Sequence, residues 1–211
     1  MNNLENSVVA NAARLSCRQI LRQATHGAHV SLNHHPLLAG IVRPAYTLTT
    51  YARVLVAYFH LYRSLETAIA DFMDDAALTF DYAARCKTPL LAADLRVLGI
   101  DADDPAWRRP QPLGAVPILN AAQLVGVLYT IEGATLGGQV ITRHIEANLG
   151  LTIDSGARFF NGYGIRTEAH WSQFEAFMES ACGSADERAC AALSARATFA
   201  AMEGALNDYA V

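Results

Sequence analysis

The chain has 211 residues, enough for one substantial hydrophobic core and too few to require two domains. Hydrophobic residues make up 52% and charged residues 17%, which excludes a disordered or supercharged chain. The formal net charge of −4 argues against a basic nucleic-acid footprint.

The opening stretch "MNNLENSVVANAARLSC" lacks the basic n-region and continuous apolar run of a signal peptide. Helical periodicity then dominates, and alternating strand patterns are nearly absent. A first helix is predicted over about 9–34, ended by His34, His35 and Pro36, because a pre-proline residue disfavours helical backbone. A long helix over about 48–73 has threonines at its start as candidate caps. Shorter helices follow near 76–86 and 89–99, then a loop over 99–117 that holds four prolines. A helix over about 119–149 stops at Gly150, and shorter ones cover 153–161, 168–181 and 185–209. The expected architecture is a single all-α domain spanning 1–211. No run reaches the roughly 18 apolar residues of a membrane helix; "YARVLVAYFHLY" is interrupted by Arg53 and His60. Cys17, Cys86, Cys182 and Cys190 form no CxxC, so free thiols in a reducing compartment are expected. These features predict a cytoplasmic protein without membrane or nucleic-acid partners.

Several chemistries have no motif here: there is no GxSxG, no P-loop and no HExxH. "NGYGIR" contains a GxG without the strand–helix setting of a dinucleotide site. Neither Glu66 nor Glu132 has a histidine three residues later, so the paired ExxH motifs of di-iron helical proteins are absent.

Residues 21–38 hold four of the seven histidines. On a wheel of about 100° per residue with Leu21 at zero, Ala28 and Leu32 fall within about 20° of it and form the buried stripe. Arg18, Thr25, His29 and Arg22 fall between about 40° and 100°, along one edge of that stripe. His26 lies further round, toward solvent. His29 is therefore either a border histidine hydrogen-bonded to the core, or an imidazole offered to a metal with cations nearby for an anionic group. Adjacent helical residues do not face one another, so His34 and His35 read as a helix ending.

"GVLYTIEGATLGGQVITRHIEANLG" places four glycines inside a strong helical pattern. Gly126, Gly133 and Gly137 share one face and Gly138 sits off it. An interior glycine costs a helix about 1 kcal/mol relative to alanine, so something must need bare backbone there. Close helix–helix packing is one reading. A flat ligand lying against the backbone, with room for a diatomic group beneath it, is the other.

Together, "LRQATHGAH" and "YTIEGATLGGQVI" resemble the haem (heme) oxygenase family, especially its bacterial branch often found beside bacteriophytochromes. The resemblance continues through "KTPLLAADLRVLGID" and "GARFFNGYGIRTEAHWSQFEAFM". It implies an all-helical domain with haem sandwiched between a proximal helix and a glycine-rich distal helix. It also implies oxidative opening of haem to biliverdin, carbon monoxide and ferrous iron. Haem would be both substrate and cofactor, with molecular oxygen and an external electron donor such as a ferredoxin or reductase. A bacteriophytochrome is a possible receiver of the biliverdin. By the same resemblance His29 is the axial ligand to iron. Gly133 and Gly137 bring distal backbone to the iron-bound oxygen, with Gly138 beside them. Arg22 serves the propionate end and Thr25 lines the pocket; Arg18, on the same helix edge, is counted with the haem-binding residues from its position. Ala134 departs from animal members, which have an acidic residue there, and "WSQFEAF" lacks their late basic propionate partners. A haem carrier of the same fold without turnover is the alternative, and a helical enzyme of the thiaminase-like fold is a third class.

Overall fold

The computed structural model describes residues 15–76, 78–107 and 116–210. Among them are seven α-helices and no strand: α1 Cys17–Asn33, α2 Leu48–Asp75, α3 Thr88–Val97, α4 Ala121–Leu149, α5 Arg158–Asn161, α6 Thr167–Ala181 and α7 Ala185–Asn207. The part of the first predicted helix before residue 15, and residues 108–115 of the predicted loop, lie outside the described residues. The all-α expectation holds.

The helix starts follow from short polar side chains that accept orphan backbone N–H groups. Ser16 with Gln19 and Ser184 with Glu187 form complete capping boxes at α1 and α7. The Thr47 hydroxyl accepts from the Thr50 amide at α2, and the Asn120 side-chain oxygen Oδ1 accepts from the Gln123 amide at α4. Helix α4 ends where Gly150 takes φ +68, a left-handed conformation that glycine adopts without a Cβ penalty.

Two predicted helices are shorter than their sequence patterns. In place of a helix over 76–86 there is a single 3-10 turn, Ala83–Arg85. Tyr82, Arg85 and Lys87 are all buried, and a regular helix would turn Lys87 away from the other two. Similarly α5 begins at Arg158, not 153, because the buried carboxylate of Asp94 caps it there. That carboxylate accepts from the amides of Arg158 (2.9 Å) and Phe159 (2.7 Å).

Helix α7 is the base on which the rest is assembled. Both α1 and α4 lie along it, and α2 packs on it as well. Thr130 and Ser194 bond α4 to α7, through Thr130 Oγ1 to the Ala195 carbonyl (3.3 Å) and Ser194 Oγ to the Gln123 carbonyl (2.8 Å). At the other end Ser31 donates to Glu203 (3.1 Å) and buried His35 meets Asn207 (3.1 Å), which ties down the end of α1. His35 thus does more than end the helix. By length and composition α4 could cross a membrane, although the sequence pattern had suggested no such run; 56% of its most apolar window is buried inside the fold.

Candidate active site between the first helix and the glycine helix

His29 is exposed on α1, with its ring edge-on to Phe199 of α7 at 6.2 Å between centroids. Asn33, one turn later, places its carboxamide 3.3 Å from Nδ1. Turned so that its oxygen faces the ring, that amide would accept Nδ1–H and leave Nε2 free as a ligand. Among the described residues no three His, Cys, Asp or Glu side chains converge on one point. A lone imidazole suits a metal that brings its other ligands with it. His26 is exposed further round the helix.

The four glycines of α4 divide into two pairs. A Cβ at Gly126 would overlap the Ala191 carbonyl oxygen of α7, and one at Gly138 would overlap the Phe160 carbonyl oxygen of α5. These two serve close packing, so Gly126 leaves the ligand-facing set and Gly138 is covered by Phe160. Gly137 has nothing within 4 Å of such a Cβ, and Gly133 has only the Trp171 ring at 3.9 Å. Their bare backbone faces open space. Leu136 and Val140 lie within about a third of a turn of that face and are 44% and 49% exposed, while Val30 beside His29 is 41% exposed. Apolar side chains left uncovered on both helices are what a flat apolar ligand would cover.

The two helices come near each other one turn before His29 and one turn before Gly133, where Tyr129 of α4 stands close to Thr25 of α1. Thr25 is buried and donates to the Leu21 carbonyl (2.7 Å). Burial raises the Tyr129 phenol above its ordinary range, opposed by Thr25 and by the positive charges of Arg18 and Arg22. Trp171 of α6 lies beside Tyr129 at 6.1 Å, under the Arg18 guanidinium at 5.6 Å. Arg18 is engaged by Glu175 (2.6 Å). No ion pair engages Arg22 among the described residues, so it is the freer of the two cations.

The Heme oxygenase family model matches residues 15–208, which contain every element described above. The chain belongs to the haem oxygenase family. A curated haem oxygenase of Xanthomonas campestris pv. campestris is 33% identical over 155 residues, covering 72% of this chain and 85% of that relative. The fold matches a haem oxygenase of Leptospira interrogans at TM-score 0.75 and 17% identity, covering 91% of this chain and 98% of that one. It matches the NO- and CO-bound haem oxygenase of Neisseria meningitidis at TM-score 0.75 and 20% identity, covering 92% of each. For a haem oxygenase family member the first helix and the glycine helix carried a readable signal. Asn33, Tyr129, Trp171 and Phe199 did not stand out. Asn33 at i+4 from His29 could have been found by helical spacing; Trp171 and Phe199 come from helices whose approach the spacing does not encode.

Proposed function

We propose that the chain is a haem-degrading oxygenase that seats haem between α1 and α4 and opens it to biliverdin, carbon monoxide and ferrous iron. The observation that carries this is the pairing of one exposed imidazole, His29 on α1, with the open backbone of Gly133 and Gly137 on α4. Bound haem supplies the iron that takes up oxygen and the ring that is cut. The protein's part is to hold and to shield. His29 offers its imidazole, an Asn33 amide turned with its oxygen toward Nδ1 would leave Nε2 free, and Phe199 braces the ring edge. Gly133 and Gly137 present peptide groups where any side chain would occupy the oxygen's space. Leu136, Val140 and Val30 would be covered by a bound macrocycle. Molecular oxygen and electrons from a ferredoxin or reductase complete the reaction, and a bacteriophytochrome is a receiver for the product. The free thiols fit a cytoplasmic setting.

The purified protein mixed with haem, a reductant and oxygen should replace the haem absorption band with a biliverdin spectrum. A stable haem band under those conditions would mark a carrier instead.

Arg22 lies seven residues before His29, roughly 10 Å along the axis at about 1.5 Å per residue. Its long side chain can span much of the distance to the rim of a macrocycle centred near His29, where a guanidinium can hold a propionate through two parallel hydrogen bonds. Arg22→Glu sets like charge against that propionate. It should weaken haem binding and give a changed or mixed biliverdin pattern, with His29 ligation retained. Unchanged affinity and one unchanged isomer by chromatography would remove Arg22 from the site.

A further inference from the structure

The "NGYGIR" turn that looked idle in the sequence is wrapped around the back of α4. Gly162 and Gly164 take φ +54 and +57, left-handed values that suit residues without a Cβ, and between them they deliver Tyr163 inward. The Tyr163 hydroxyl reaches both carboxylate oxygens of Glu132, at 2.7 and 3.0 Å. Glu132 is 1% exposed and precedes Gly133 directly. Its carboxylate also takes Arg85 at 2.8 Å and Lys87 at 3.0 Å, and both cations are buried. The same turn grips α4 at three further places. The Phe160 carbonyl sits on Gly138, a Cβ at Gly162 would already stand 3.6 Å from the Thr135 side chain, and the Gln139 amide donates to the Gly164 carbonyl at 2.6 Å.

We infer that Tyr163 and Glu132 are positioning residues: with the 160–164 turn they clamp residues 132–139 of α4, and so set the height of the Gly133 and Gly137 backbone over the haem. The inference rests on the haem-binding reading above. Burying two cations and a carboxylate costs more solvation than an apolar cluster of the same volume, so cohesion alone does not explain the arrangement. What ions and hydrogen bonds add is register. A slide of α4 by one residue, about 1.5 Å, would misalign the carboxylate with all three of its donors. Every grip falls on the back and sides of α4, and the two open glycines lie between the grips on the uncovered face. The helix can thus be bare toward the ligand and still be fixed in place.

Two variants test this in the full chain reconstituted with haem. Tyr163→Phe removes the hydroxyl but keeps the ring and its 4.0 Å stack on His170. Glu132→Gln keeps the shape and removes the charge. The readouts are the C–O stretching band of the ferrous carbon monoxide complex and the pH at which water on the ferric haem deprotonates. Both variants should keep imidazole ligation and haem affinity within about threefold. The carbon monoxide band should shift or split, and the water transition should move by about half a pH unit or more. Leu55→Ala, a core cavity in α2 away from the turn, should lower thermal stability and leave both readouts unchanged. Wild-type values in Tyr163→Phe, with haem bound, overturn the clamp while the proposed function stands. A wild-type protein without an imidazole-ligated haem spectrum overturns both.

Discussion

His29→Ala abolishes the imidazole-ligated haem spectrum and haem turnover, while the protein stays helical and melts within a few degrees of wild type. The two halves of this expectation have separate causes. The imidazole is exposed, and among the described residues its ring meets the edge of Phe199 and its hydrogen bond joins it to Asn33 on the same helix. Surface changes of this kind usually cost about 0.5 kcal/mol or less, and alanine is the better helix former at that position. Iron, by contrast, loses the imidazole that α1 offers it at this edge, and no group of three or more His, Cys, Asp or Glu stands ready to replace it among the described residues. His26→Ala is the matched control, exposed on the same helix one turn earlier. Survival of the spectrum in His29→Ala, with its loss in His26→Ala, would show that the other imidazole is the ligand.

Neighbouring glycines of α4 give opposite stability effects. Gly137→Ala puts a methyl into open space and removes a helix-interior glycine, a gain of about 1 kcal/mol. That gain is worth roughly 2–4 °C for a chain of this length. Gly138→Ala drives the same methyl into the Phe160 carbonyl, a backbone atom that cannot rotate away. Overpacking costs about 1–3 kcal/mol where side chains can yield, and here the backbone must move. Differential scanning calorimetry should therefore separate two adjacent substitutions in opposite directions. Function reverses the order of merit. Gly137→Leu, tolerated by the fold, fills the space over the open backbone and should block haem or oxygen. Wild-type turnover in Gly137→Leu would mean that the open glycines serve no ligand.

The sequence carried the first helix well because its signal is local. Leu21 and Leu32 are buried where the wheel puts them, and Thr25 beside them is buried as well. The glycine face was read correctly as a face, but not as two functions. What separates Gly126 from Gly133 is Ala191, 65 residues further on, and no helical period reports it. The Glu132–Arg85–Lys87–Tyr163 cluster was missed for the same reason. Its members belong to three separate segments, and each taken alone looks like an ordinary charged or aromatic residue. Arg18 and Arg22 were indistinguishable on the wheel, because the difference between them is Glu175 on a later helix.

Neither α1 nor α4 takes its seat from the other. Each is bolted to α7, one near Ser31 and His35, the other near Gln123 and Thr130. The face of α7 that receives them is cut thin, with Ala191, Ala192, Ala195 and Ala205 all buried. That row works as a gauge: a bulkier residue there is a shim, changing the width of the slot without altering a single group that lines it. Slot width and slot chemistry are therefore written on different helices and can drift apart independently.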